Sequence, residues 1–401
     1  PVGVLHGLPV VLKDLFDIEG QLGTFGSQHF SQRRADRTSA TAERMLQAGM
    51  VVMGKTHMTE FAFGGWGTNP LMGTPRNPWD MTTHRVPGGS SSGSAVAIAA
   101  GLCPVAIGSD TGGSVRIPSA FNGLAGLKVT FGRVSLHATG LASWTLDTVG
   151  PMARNVRDCA LLLDALAGPD PRDPETLLQP LEIFSDEPRT VRGMRLALPD
   201  AKQLPSFVDP AVLAAWQNAA RVFDSLGVHI SEVKLPDWFF DLAVQTGRVM
   251  ACEAYVLHRD YISDMAVPLG SDVRGRILAA KSFAPDEYAQ GLRHMGELRK
   301  AFHHWFAPYD ALLLPSVAIP ATPVAEVDES ALTPGFLTRP MNYLGLCALS
   351  QAAGLINGLP VGLQIVGKPF HEKTVLSLGQ AFEAATGFHL RHPDLSSLGL
   401  T

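Results

Sequence analysis

The sequence predicts an α/β fold: a large mixed central sheet covered by helices on both faces, with a mostly helical insertion. Three observations predict it. Short apolar runs alternate with helical patterns from residue 8 to residue 168, the signature of helices layered on a sheet. Residues 208–306 then read as mostly helical, in AVLAAWQNAARVFDSLG, RGRILAAKSF and EYAQGLRHMGELRKAFHHWF. Strand-like runs return at Asp310–Pro315 and Leu359–Val366, so both ends of the chain are expected to build one sheet. A single domain over 1–401 is expected, with 1–168 as its core, 169–306 as the insertion and 307–401 returning to the core.

Taken in order, Leu8–Leu12 reads as a buried strand with Lys13 at its C-terminal end. Ser39–Ala48 is a helix, because Thr38 or Ser39 supplies a cap and Gly49 suits the position beyond its end. Met50–Met53 reads as a second buried strand. Residues 64–89, rich in glycine and proline, form a long ordered loop. Ser94–Ala100 is a helix of small residues ended by Gly101, and Val105–Gly108 is a strand that runs into DTGGS. Val156–Ala167 is a helix capped by Asn155 and stopped by Gly168. Pro169–Pro188, with its prolines and acidic residues, is a surface excursion.

The composition is that of an ordinary globular enzyme: 46% hydrophobic, 17% charged, net charge −5. No basic excess points to nucleic acid, and the longest apolar stretch, Ala95–Ile107, is broken by Gly101 and Pro104 and too short for a bilayer. The four cysteines are scattered without a CxxC pair, which predicts buried free thiols and fits a reducing, cytoplasmic setting. No HExxH is present, and neither a metal nor a cofactor is expected. The oligomeric state stays open, a homodimer included.

The chemistry concentrates at residues 88–119, GGSSSGSAVAIAAGLCPVAIGSDTGGSVRIPS. Two glycine-wrapped serine turns flank a small-residue apolar segment. Such a turn presents a hydroxyl together with several backbone N–H groups, the combination acyl transfer requires. Gly112 and Gly113 let the N–H groups of Thr111, Gly112, Gly113 and Ser114 converge, and each donor to an oxyanion is worth about 3–4 kcal/mol. A plain Gly-Gly-Ser surface turn is the bland alternative. A lysine buried at a strand end loses basicity by desolvation, which Lys13 in GLPVVLKD fits. Lys55 and Lys128 are rivals that the residues alone do not reject.

The text GGSSSGSA followed by GSDTGGSVRIPSAFNGLAGLKVTFGRVS, with the preceding VVMGKTHMTEFAFGGWGTNPLMGTPRNPWD, resembles the amidase signature family. The likeness is close over most of residues 5–168 and weaker at FAPYDALLLPS (306–316) and GLPVGLQIVG (358–367). It implies the family's fold and a stand-alone amidase that cleaves the C–N bond of a linear amide. It implies Ser114 as nucleophile, Ser90 after a cis Gly89–Ser90 bond as bridging serine, Lys13 as general base, and the 111–114 N–H groups as oxyanion hole. Asp110 and Arg116 read as structural. Phe63, Gly64, Gly65, Trp66, Ile117 and Trp144 are the expected substrate contacts, and the apolar Ile117 favours a neutral, partly hydrophobic acyl group. A carboxylate-binding arginine near the nucleophile would instead imply acidic substrates. The family's lysine usually follows a helical segment, and this chain starts at Pro1, so an upstream segment is expected. Cys347 and Ala352 in MNYLGLCALSQAAG replace family prolines in a segment that helps shape the substrate side.

Other readings share parts of the pattern. Carbamate or ester cleavage would use the same triad. GSSSG at 89–93 fits a G-x-S-x-G elbow with Ser91 as nucleophile, but no strand precedes it. No GxxxxGK[ST] supports a phosphate loop. The first 168 residues also resemble the glutaminase subunit of the tRNA-dependent amidotransferase, which works with partner subunits, whereas residues 200–401 look more like stand-alone amidases. The expected partner is therefore a small amide-like molecule, with protein partners and tRNA only on the amidotransferase reading.

Overall fold

Val10 and Leu12 are fully buried, and they anchor the strand β1 (Pro9–Lys13) inside the sheet. In the computed structural model, which describes residues 3–396, this strand is followed by α1 (Ala40–Gln47), β2 (Val51–Thr56), α2 (Ser92–Ala99), β3 (Val105–Ser109) and α3 (Arg116–Asn122). Then come β4 (Ala125–Lys128), β5 (Val149–Ala153) and α4 (Val156–Leu166). The middle of the chain supplies β6 (Arg195–Pro199), α5 (Pro210–Ser225), β7 (His229–Val233), α6 (Leu242–His258), α7 (Ser271–Leu278) and α8 (Pro285–Phe306). The chain closes with β8 (Ala311–Pro315), α9 (Arg339–Tyr343), β9 (Cys347–Ile356), β10 (Leu359–Gly367) and α10 (Glu372–Thr386).

The strands form one ten-stranded mixed sheet in the order β2-β1-β3-β5-β4-β9-β10-β8-β6-β7. Its two ends are parallel (β2/β1/β3 and β8/β6/β7), and its centre from β3 to β8 is antiparallel. Helices cover both faces. On β9, Leu349 meets Gly379 of α10, while the next residue, Ser350, points to the other side and bonds Ser316. On that other side Gly362 of β10 lies against Ala120 of α3, and Gly126 of β4 against Ser119. Side chains at these glycines would collide, so small residues are what let α3 sit flat on the sheet.

Caps follow the local sequence. Ser39 accepts from Ala42 N and starts α1; Asn155 accepts from Asp158 N and starts α4. Cys103, Cys159 and Cys347 are buried free thiols and Cys252 is partly buried. No helix among the described residues is long and apolar enough to cross a membrane.

Two expectations need correction. The second strand is not buried: it is an outer strand of the sheet, with Val51 and Met53 exposed. Residues 169–306 are more than a helical cover, because β6 and β7 extend the sheet at its far end. Strands β4, β5 and β9 were also not anticipated; β9, in CALSQAAGLI, is built of small and polar residues that only its two paired neighbours turn into a strand.

Candidate active site

Lys13 leaves the C-terminal end of β1 beside the parallel strand β3, whose last residue is Ser109. Its ammonium is fully buried and donates to Ser90 Oγ at 2.6 Å and to Ser109 Oγ at 2.8 Å. Burial lowers its pKa to about 7, against the opposing charges of Asp147 and Asp110. Lys55 and Lys128 lie elsewhere. Lys55 is ion-paired with Asp14 at 2.7 Å, and Lys128 is buried against the carbonyls of Val129 and Leu346.

Ser90 opens the first serine turn. The Gly89–Ser90 peptide is cis, and close backbone approaches from Gly64 and Gly67 leave no room for a side chain at Gly89. Thr59 N donates to Ser90 O at 3.2 Å, and Ser91 N donates to Ser114 O at 3.2 Å, which ties the first turn to the second. No hydrogen bond joins the Ser90 and Ser114 hydroxyls among the described residues.

The second turn, Asp110–Ser114, connects β3 to α3. Gly113 has φ +124°, and a Cβ there would strike the Thr338 hydroxyl, so the turn needs glycine for both conformation and space. Asp110 is its knot. Its carboxylate accepts from Gly113 N at 2.8 Å, Val115 N at 3.2 Å and Arg116 Nε at 3.0 Å, and from Arg116 Nη2 and Asn342 Nδ2 at 2.9 Å each. Burial works against the ionised form, but the Arg116 charge and hydrogen bonds overcome it and hold the carboxyl well below the usual range. Arg116 in turn donates to Thr338 O, Gln364 and Asn342, which links α3 to α9 and β10. Gly113 N–H is therefore already committed. The N–H groups of Thr111, Gly112 and Ser114 meet no acceptor among the described residues, so the expected four-donor nest has three free donors.

Ser114 lines a cavity of about 350 Å³. Of the expected substrate contacts, Phe63, Gly64, Gly65, Trp66 and Ile117 also line it, with Gly112. Trp144 does not: it is partly exposed and its segment is turned toward the network around Glu253, which binds Ser143 and Thr145. Cys347 and Ala352 lie on β9 and do not line the cavity.

Several groups at the site were not expected. Ser109 is the second lysine acceptor. Asp147 is buried, accepts from the Thr111 hydroxyl and from Ala142 N and Ser143 N, and is pushed up to about 6 by burial. The cavity also holds Arg248, Arg276, Arg339 and Glu329. Ser109 was findable, since it ends the strand that feeds the second turn; the arginines come from α6, α7 and α9, and no local pattern marks them.

The comparisons with known proteins agree with this architecture. The family profile described as Amidase matches residues 1–376. The chain is 35% identical over 427 residues to a glutamyl-tRNA(Gln) amidotransferase subunit from Symbiobacterium thermophilum, covering 99% of this chain and 86% of that one. Among solved structures, the corresponding amidotransferase subunit from Thermotoga maritima superposes with a TM-score of 0.84 at 30% identity, over 95% of this chain and 84% of that one. A 6-aminohexanoate cyclic dimer hydrolase, at 27% identity, gives a TM-score of 0.88 over 98% and 88%. Its fold, its two serine turns and the extent of these matches make the chain a member of the amidase signature family, whose enzymes act on amides.

Proposed function

We propose that this chain hydrolyses a C–N bond in an amide through an acyl-enzyme on Ser114. The observation that carries the reading is the buried Lys13 ammonium, held 2.6 Å from Ser90 Oγ with its pKa brought to about 7. A lysine so placed is neutral often enough near neutral pH to act as a base. Neutral Lys13 takes the proton of Ser90, Ser90 takes that of Ser114, and Ser114 Oγ attacks the carbonyl carbon. The relay requires Ser114 Oγ to turn toward Ser90, a hydrogen bond that forms with substrate in place. The free N–H groups of Thr111, Gly112 and Ser114 receive the oxyanion. The proton returns along the relay to the leaving amine, and water then cleaves the ester. Carbamates and esters present the same carbonyl and fall within the same chemistry.

A second reading is favoured by the 35% identity to an amidotransferase subunit across 99% of the chain: a glutaminase that hands ammonia to partner proteins. The test is turnover by the purified chain of an aryl amide, an aliphatic amide, an aryl carbamate and glutamine, each beside Ser114→Ala and Lys13→Ala. Turnover of one of the first three, abolished in both variants, is the expected result. Turnover of glutamine alone would favour the amidotransferase role, and hydrolysis that survives Ser114→Ala would sink the acyl-enzyme.

A further inference from the structure

Apolar and basic side chains both line the cavity: Trp66 and Ile117 among the first, Arg248, Arg276 and Arg339 among the second, with Glu329 as the acidic lining residue. Glu329 is already engaged. Arg276 Nη2 donates to its Oε2 at 2.6 Å, and the Thr68 hydroxyl donates to its other oxygen. Arg276 and Glu329 thus neutralise each other.

Arg339 has no such partner. Its one side-chain hydrogen bond among the described residues runs from Nη1 to Ala243 O at 3.3 Å, which leaves most of its five N–H donors unused. The side chain lies in a channel of three glycines. A Cβ at Gly112 would come 3.2 Å from Cγ, one at Gly335 3.1 Å from Nε, and one at Gly247 3.2 Å from Nη1. Gly112 is two residues from Ser114, so the guanidinium is set close to the reacting centre by a neighbour that leaves it room. Burial and the charge of Arg276 lower its pKa to about 10, so it is a cation at neutral pH. Arg248, exposed beside the cavity, sits 5.8 Å from the Phe283 ring and forms no ion pair among the described residues. A partly desolvated cation without a counter-ion is unfavourable, and a carboxylate that meets the guanidinium in bidentate fashion removes that penalty.

We propose that the substrates of this chain are amides that carry a carboxylate, and that Arg339 binds that carboxylate while Arg248 adds positive charge at the cavity's edge. The inference rests on reading the cavity as the seat of amide hydrolysis. It revises the expectation of a neutral acyl group, which weighed Ile117 without the arginines; Ile117 and Trp66 are left to contact the uncharged part of the substrate.

Matched pairs test it. Glutaric acid mono-anilide is compared with pentanoic acid anilide, which puts the carboxylate on the acyl side. The acetamide of 4-aminobenzoate is compared with acetanilide, which puts it on the amine side. In at least one pair the acid is expected to have a kcat/KM about tenfold or more higher, chiefly through KM. Arg339→Met should abolish the preference and Arg339→Lys should retain part of it. A ratio within one preparation does not depend on how much of the variant is folded. Wild-type ratios near one in both pairs would overturn the proposal, as would a preference that survives Arg339→Met. If neither member of either pair is turned over, anilides lie outside the substrates of this chain, and whether it is a hydrolase is read from the aliphatic amide and the carbamate. Calorimetric titration of the Ser114→Ala protein with the two acids then decides the inference: binding that Arg339→Met removes supports it, and no binding, or binding unchanged by that substitution, overturns it.

Discussion

Lys13 is held between opposing influences, and their balance sets the pH at which it loses its proton. Burial lowers its pKa, while Asp147 and Asp110 raise it, and the outcome is about 7. On the proposed relay the active form is the deprotonated one, so kcat/KM should rise with pH, about tenfold per unit below 7, and level off above it. A profile flat from pH 5.5 to 8.5 would remove Lys13 from the role of base. Asp147 makes the argument sharper. It is ionised above about 6, and its charge favours the ammonium. Asp147→Asn should let burial pull the lysine lower still, moving the rising limb toward acid, and a limb that stays in place would show that Asp147 does not act on Lys13. Ser90 and Ser114 stand out because each lies in a short, distinctive serine turn, whereas Lys13 is set apart from Lys55 and Lys128 only by the family resemblance. Asp147 does not stand out, because its effect depends on its Thr111 bond and its burial near Lys13, neither of which sequence spacing reveals.

At the scale of elements, the decisive unit is β3, the turn 110–114 and α3. The strand aims the turn, two glycines shape it, and Asp110 fastens it to Arg116 and through Arg116 to α9 and β10. Both charges are fully buried, so their value lies in being paired. Asp110→Asn leaves the guanidinium without its counter-ion and should cost about 3–5 kcal/mol, read as a fall in the urea midpoint at unchanged slope. A midpoint within error of the wild type would mean that Asn342, Gln364 and the Thr338 carbonyl are enough to hold Arg116. The sequence exposed this unit because glycines and a strand run mark it locally. It hid β9 and misplaced β2 for a related reason. An apolar run such as Val51–Met53 shows that a strand forms, but whether that strand ends up central or at an edge is set by which other strands pair with it.

At the scale of the molecule, the sheet order decides what can fold alone. Residues 1–168 hold the lysine and both serine turns, but they do not complete their own part of the sheet. Within that stretch β4 is left with β5 alone, because its other neighbour, β9, comes from near the end of the chain. Helix α3 would lose the β9 and β10 surface on which it packs, and α4 would lose α10. Arg116 would lose Thr338, Asn342 and Gln364 together. A fragment ending at residue 168 would therefore expose an unpaired strand edge and a bare apolar face, both of which favour aggregation. The expectation is that this fragment expressed alone is insoluble or lacks a cooperative thermal transition, and that co-expression with residues 169–401 restores a single transition and activity. A 1–168 fragment that stays monomeric and melts cooperatively would show the core to be an independent domain, and the long-range pairing of β4 with β9 would then be a late addition to a structure already stable without it.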